Sequence, residues 1–180
     1  MSVFTNPAAS SAEEADAYVH AVLELLEDRD PDHVLSTTSN AIREAITGMS
    51  DEALSEPEES GKWSVRQVLR HLADSEIVWG YRLRLVLAQD RPRLTGYDQD
   101  AWADRLGYSD APVADSLDEF AMTRAGNLRL LERASPRDLR RVGLHDERGE
   151  ESVEHMIRLY AGHDLLHLAQ IERIKRRVLS

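Results

Sequence analysis

Residues 61–90, GKWSVRQVLRHLADSEIVWGYRLRLVLAQD, constrain the fold most because they have the pattern of one long helix. Ser64 followed by Gln67 is a capping-box pattern, which predicts that the helix begins there. The helix is expected to end near Asp90, before Pro92. Apolar residues with helical spacing form one face: Val65, Val68, Leu69, Leu72, Trp79, Leu83, Val86 and Leu87.

Other parts of the chain show the same helical period. These segments are about 12–27, 31–48, 114–133 and 152–178, and strand patterns are nearly absent. A capping-box pattern of Ser11 and Glu14 opens the first segment, and Pro31 suits the first turn of the second. The sequence therefore predicts an all-α fold, a four-helix bundle with an additional N-terminal helix over 12–27.

Two connections lack a clear period. Residues 91–113 are long for a loop between bundle helices, and such loops are often functional or act as lids. Tyr97, Trp102 and Tyr108 indicate that this loop packs against the domain. The stretch HDERGEE, residues 145–151, is predicted to be a polar turn.

Length, charge and the lack of cysteine restrict the possible functions. The 180 residues fit a single domain over 1–180. A net charge of −11 argues against nucleic acid as a partner, since phosphate contacts need a basic surface. The chain has no cysteine, no signal-peptide pattern and no apolar run long enough to span a membrane, which favours a cytoplasmic protein without a membrane partner.

Two histidines lie in the middle of the apolar arc of the last helix. His163 and His167, in AGHDLLHLAQ, are four residues apart and therefore share a helix face. Buried imidazoles need partners for both nitrogens, so the pair indicates either a metal site or core histidines bonded to carbonyls or water. The spacing is that of the zinc-protease motif His-Glu-x-x-His, but Asp164 replaces the glutamate that serves as general base.

A third metal ligand has to come from upstream, and His71 is the strongest candidate. Asp74, one turn later, is positioned to accept its second ring N–H. Three neutral histidines with open coordination positions are typical of a catalytic metal site. The other histidines are weaker candidates for metal binding: His20, His33, His145 and His155.

Glu76 projects into the apolar arc of the 61–90 helix. Its carboxylate is expected either to form an ion pair or to have a raised pKa. The ion-pair candidates are Arg82, Arg84 and Arg124. The functional alternative is a catalytic role for Glu76 as a general acid or base near the metal.

The motifs together resemble the DinB/YfiT-like superfamily of metalloenzymes over about residues 31–178. The matching positions are Trp63 and Ser64 at a helix start, His71 on that helix, and His163 and His167 on the last helix. The resemblance implies a four-helix bundle in which these three histidines hold zinc, nickel, iron or manganese. It also implies thiol-dependent transferase or hydrolase chemistry, and a homodimer.

Two functions are consistent with these features. The first is a metal-dependent transferase or hydrolase that activates water or an exogenous low-molecular-weight thiol against a small-molecule substrate. Its pocket is expected to involve Trp79, Tyr160 and the 91–113 loop. The alternative is a non-catalytic binding or stress module that the metal only stabilises.

Overall fold

The computed structural model describes the backbone of residues 12–180 and the side chains from residue 14. The capping pattern that includes Ser11 lies outside the described residues. The helices are α1 (Ala12–Leu26), α2 (Pro31–Ala45), α3 (Asp51–Ser55), α4 (Val65–Ala88), α5 (Gln99–Arg105), α6 (Val113–Leu131), α7 (Pro136–Leu139) and α8 (Val153–Val178). The strands are β1 (Arg93–Leu94), β2 (Val142–His145) and β3 (Gly149–Ser152).

The four long helices α2, α4, α6 and α8 form the bundle. Helix α4 packs against α6 and α8, and α2 packs against the same two helices. Helices α2 and α4 therefore lie at opposite corners, although they are consecutive long helices in the chain. The additional helix α1 packs on α8. This arrangement confirms the predicted bundle with an extra N-terminal helix.

Local sequence signals explain where the bundle helices begin. Ser64 accepts a hydrogen bond from the backbone N–H of Gln67, whose side chain bonds back to the Ser64 N–H, as the capping box predicts. Asp30 caps α2, and Pro31 occupies its first turn, where no N–H donor is needed. Ser152 caps α8 through the N–H of His155.

The predicted polar turn over 145–151 is confirmed only for residues 146–148, because the residues on either side belong to strands. Strands β2 and β3 form an antiparallel hairpin across this stretch, and β1 adds to β2 in parallel. Gly149, with φ of +76°, makes the reversal possible. The strands escape a search for alternating apolar residues because β3 reads GEES, with its buried Glu151 neutralised by Arg148.

The segment 91–113 also contains more structure than its sequence pattern indicates. It carries β1, α5 and a 3₁₀ turn at Tyr108–Asp110. Tyr108 is fully buried and donates a hydrogen bond to Asp74 of α4 at 2.6 Å, which confirms that the segment packs against the domain. Of the described helices, none is long and apolar enough to cross a membrane.

A layer of buried polar residues separates two apolar clusters along the bundle. One cluster includes Trp79 and Leu83 of α4 with Met156 of α8. The other includes Leu69 of α4 and Ile171 of α8. The polar residues between them are His71, Ser75, Glu76, Arg124, Asn127, His163, Asp164 and His167. The candidate site therefore lies inside the bundle, at mid-height.

Candidate metal centre

Three imidazole rings from two helices meet in the polar layer. His71 comes from α4, and His163 and His167 come from successive turns of α8. One ring nitrogen from each residue lies within 4.8 Å of the other two. The Nε2 atoms of His71 and His163 are 3.3 Å apart, close enough for both to contact one ion. The structure thus brings together the three residues that the sequence selected as metal ligands.

The second nitrogens of these rings have different surroundings. Nδ1 of His167 lies 2.8 Å from Oε1 of Gln170, so this ring donates its Nδ1–H to Gln170. The Nε2 atom of His167 therefore keeps its lone pair for a metal ion. Nδ1 of His71 and Nδ1 of His163 are buried without a hydrogen-bond partner among the described residues. The predicted acceptor for His71, Asp74, is wrong, because Asp74 binds Arg70 and Tyr108 instead.

Burial keeps all three rings uncharged near neutral pH. It lowers the pKa values of His71 and His163 well below the ordinary value, with a further contribution from the neighbouring histidines. Burial lowers the pKa of His167 to about 4, against the opposing effect of its bond to Gln170. A neutral imidazole offers a lone pair to a metal ion, and the three rings present such nitrogens close to one another. These residues therefore fit a divalent metal ion, and the set suits zinc, nickel or iron.

Aromatic rings enclose the centre on two sides. The ring of Trp63 lies 5.1 Å from that of His71, and the ring of Tyr160 lies 5.6 Å from that of His163. Trp79 stacks on Tyr160 at 4.7 Å but is fully buried behind it. The expectation that Trp79 shapes a pocket is therefore wrong, whereas Tyr160 does line one.

A buried ion-pair network lies beside the centre. Arg124 donates hydrogen bonds to Glu76 at 2.8 Å and to Asp164 at 2.7 Å, and all three side chains are nearly inaccessible. Asn127 donates to the second carboxylate oxygen of Glu76 at 2.8 Å. Burial raises the pKa of Glu76, and the charge of Arg124 opposes that rise. Glu76 thus has the ion pair expected as one alternative, with Arg124 as the partner.

Asp164 does not take the place of the glutamate in the zinc-protease motif. Both of its carboxylate oxygens accept hydrogen bonds from Arg124. It follows His163 directly on α8 and therefore points about 100° away from that ring around the helix. Its role is to fix the helix that carries two of the three imidazoles.

A cavity of about 40 Å³ opens beside His163. It lies between α1, α4, α8, the β2–β3 hairpin and residues 96–99. Its lining includes Ser75, Arg82, Tyr97, Gln99, His145, Glu147, Arg148 and Tyr160. The volume corresponds to about three water positions. Part of the 91–113 segment thus borders the site, as the sequence predicts.

Sequence reasoning missed several of the polar residues around the site. His145 was a weak metal candidate in a turn, yet it is buried on β2 and borders the cavity. The sequence indicates Arg82 only as a possible partner for Glu76, and it gives Arg148 no functional signal. Gln170 had a usable signal, since it follows His167 by three residues and so lies on the same helix face. His20 and His33 are exposed, and His155 is half-buried outside the centre.

The chain is similar to known proteins over most of its length. The family model of the DinB superfamily matches residues 34–171. A protein of Oceanobacillus iheyensis, provisionally named a metal-dependent hydrolase, is 33% identical over 136 residues, which cover 76% of this chain and 78% of that protein. YfiT of Bacillus subtilis, which has the same provisional name, is 30% identical over 149 residues, covering 81% of this chain and 82% of YfiT.

A solved structure extends this similarity to the fold. YfiT from Bacillus subtilis, described as having an unusual four-helix bundle topology, superposes with a TM-score of 0.76 at 26% identity. The superposition covers 97% of this chain and 93% of that chain. With its bundle and its matching motifs, the chain belongs to the DinB superfamily.

Proposed function

We propose that this protein is a metal-dependent enzyme in which His71, His163 and His167 hold one divalent cation beside a small-molecule pocket. The observation that carries the proposal is the convergence of three neutral imidazoles on one point inside the bundle. The provisional names of the relatives, metal-dependent hydrolases, support it. Zinc, nickel, iron and manganese are the proposed metals.

A divalent cation held by three imidazoles acts as a Lewis acid and lowers the pKa of a water or thiol ligand. The protein supplies the geometry for this chemistry. Gln170 fixes the tautomer and ring orientation of His167. The Arg124 network fixes α8 against α4, so that His71 stays opposite the pair on α8. Tyr160 and Trp63 exclude bulk water from the two flanks.

The names of the relatives favour water as the activated nucleophile, and therefore a hydrolase. Transfer of an exogenous thiol is the second possibility for the same site. The chain has no cysteine, so a thiol nucleophile has to come from outside it. The acid–base role of Glu76 stays a prediction, because its carboxylate oxygens already accept hydrogen bonds from Arg124 and Asn127.

One observation favours the non-catalytic alternative, in which the metal only stabilises the bundle. The three imidazoles are deeply buried, with exposed fractions of 1% for His71, 8% for His163 and 4% for His167. The contact of His163 with the cavity favours the enzyme instead, because it opens one side of the centre. A small-molecule substrate, a homodimer and a cytoplasmic location remain predictions.

The decisive experiment compares metal content and turnover in matched variants. Protein purified without added ions is expected to hold about one divalent ion per chain. His163→Ala is expected to lose that ion because one of three ligands is gone, whereas His33→Ala changes an exposed histidine and should retain it. Elemental analysis by mass spectrometry measures both. Equal metal content in the two variants would refute the metal centre.

Turnover then separates the enzyme from the structural module. Metal-loaded wild type and His33→Ala are expected to hydrolyse members of a panel of small esters and amides, or to join a low-molecular-weight thiol to an electrophile. His163→Ala is expected to be inactive on the same panel. If the ion is bound but no substrate turns over, while chelation still lowers the melting temperature, the stabilising role is the correct one.

A further inference from the structure

Arg82 is a buried cation without an anionic partner among the described residues. Its side chain lines the cavity beside His163, and only 5% of its surface is exposed. Its hydrogen-bond partner among the described residues is the backbone carbonyl of Thr95, which Nη2 contacts at 2.5 Å. No described carboxylate forms an ion pair with it. Buried charges are ordinarily paired, as Arg124 is with two carboxylates, so the guanidinium of Arg82 has unused capacity for an anion.

His145 provides a second unused donor on the same cavity. Its Nδ1 accepts the backbone N–H of Glu147 at 3.2 Å, so the neutral ring carries its proton on Nε2. That Nε2 is buried, and no side chain or backbone group in the described part of the chain forms a hydrogen bond with it. Burial and the charges of Arg148 and Arg82 lower the pKa of His145 to about 4, which keeps the ring a neutral donor near pH 7.

The other charged groups of the cavity leave a positive centre at Arg82. Arg148 is matched by Glu151 in a two-bond ion pair. Glu147 also borders the cavity, beside Gly96, but it forms no ion pair with Arg82. Burial raises the pKa values of Tyr97 and Tyr160, and the charge of Arg82 opposes that rise, so its charge acts into the cavity.

We propose that this cavity binds a carboxylate group of a small-molecule substrate, with Arg82 supplying the charge and His145 a second hydrogen bond. The planar fork of a guanidinium matches a carboxylate with two parallel bonds. A volume of about 40 Å³ accommodates a group of this size. The position beside His163 directs the rest of the molecule toward the metal ligands. The orientation of the substrate toward the metal ligands rests on the proposed function, whereas the contact between Arg82 and the carboxylate does not.

The test uses acetate as the probe and chelator-treated protein, so that no metal ion can bind the carboxylate. Binding to wild type and to the variants that keep Arg82 is followed by the NMR signal of the Arg82 Nε–H group, and binding to the Arg82 variants is followed by line broadening of the acetate methyl signal, which is also recorded for wild type. Acetate is expected to shift the Arg82 signal saturably, while acetamide, its neutral counterpart, leaves it unchanged. Arg82→Gln is expected to weaken acetate binding at least about tenfold because charge-assisted bonds are lost. Arg43→Gln, which removes an exposed arginine of α2, is the matched control and should bind like wild type.

Two further variants keep the test valid if Arg82→Gln fails to fold. Arg82→Lys retains the positive charge but lacks the planar pair of N–H donors of a guanidinium, so it is expected to bind acetate more weakly than wild type. His145→Phe retains a ring but removes the donor and is expected to weaken binding by a smaller factor. The proposal is overturned if acetate produces no saturable shift in wild type, if the Arg82 variants bind as wild type does, or if inorganic phosphate binds more tightly than acetate.

The failure of this proposal can be distinguished from that of the metal site. Acetate binding to metal-free wild type and to His163→Ala, but not to Arg82→Gln, supports the carboxylate site whether or not the centre holds a metal. Acetate binding that requires an added divalent ion and is unaffected by Arg82→Gln would place the carboxylate on the metal instead. That second result would refute the role of Arg82 while leaving the metal centre intact.

Discussion

Arg124 contacts every helix of the bundle. It extends from α6 and donates hydrogen bonds to the Leu35 carbonyl of α2, to Glu76 of α4 and to Asp164 of α8. One guanidinium thus neutralises two buried carboxylates, and the residue after His163 is one of them. A single residue on α6 therefore holds in register the two helices that carry the candidate metal ligands.

Arg124→Met is expected to destabilise the protein by about 3–5 kcal/mol, because two carboxylates are left buried without a cation. Arg43→Met is the control, since Arg43 forms an exposed ion pair with Asp118 and such pairs contribute about 1 kcal/mol or less. Urea unfolding gives the free energy of unfolding for both variants. Losses of equal size would show that the network adds no stability beyond that of a surface ion pair.

The three candidate metal ligands could be predicted from the sequence, whereas the polar residues that surround the site could not. Helical periodicity alone places His163 and His167 in a buried arc, and the need to satisfy two rings directs attention to a third histidine. Arg82 and His145 depend on contacts between segments more than 60 residues apart, which no local pattern encodes. The choice of Arg124 among three possible partners for Glu76 likewise depends on how α4 and α6 pack.

The contact between α1 and α8 depends on Gly162. A methyl group at this position would lie 2.2 Å from the backbone carbonyl oxygen of Val22, which cannot move aside as a flexible side chain can. The close approach lets α1 cover α8 next to His163, and Tyr18 of α1 lines the cavity there. The N-terminal helix is thus one wall of the candidate site.

Gly162→Ala is expected to destabilise the protein by about 1–3 kcal/mol and to loosen α1, because the added methyl group overpacks the contact. Gly126→Ala on α6 makes the same change where the nearest neighbouring atom is 3.9 Å away, so it is expected to stabilise by about 0.5–1 kcal/mol. Thermal unfolding by circular dichroism and limited proteolysis within α1 measure the two effects. Equal melting temperatures for the two variants would contradict the close contact.

The long helices could be predicted from sequence because each has a repeating apolar face and a recognisable start, such as Ser64 with Gln67. The three strands could not, because two have four residues and one has two, too few to show a period. Their pairing also depends on distant segments, since Arg93 pairs with Leu144. The short helices α3 and α7 could not be predicted for the same reason, because they have only five and four residues.

The molecule as a whole carries several buried neutral histidines, which makes its stability depend on pH. Burial lowers the pKa values of His71, His145, His163 and His167. The unfolded chain protonates its histidines as the pH falls through about 6.5, while the native state keeps these rings neutral. The unfolded state therefore binds more protons below that pH, and the native state loses stability as the solution becomes more acidic.

For chelator-treated protein, each such histidine is expected to reduce the free energy of unfolding by about 1.4 kcal/mol per pH unit below about pH 6.5. For His167 the loss continues down to about pH 4. The raised pKa of Glu76 acts in the opposite direction, so a comparison of variants isolates the histidines. Urea unfolding at several pH values should give a shallower slope for His167→Gln than for His33→Ala. Identical slopes would show that His167 is not held neutral.

The placement of α2 and α4 at opposite corners has a consequence for biosynthesis. Helix α4 packs mainly against α6 and also against α8, so its apolar face lacks these partners until both helices have been synthesised. His71 is translated 92 residues before His163. Most of the chain has therefore been synthesised before the last two of the three candidate ligands are added. During that interval the nascent polypeptide exposes apolar surface that α6 and α8 cover in the folded protein, and surface of this kind is prone to aggregation.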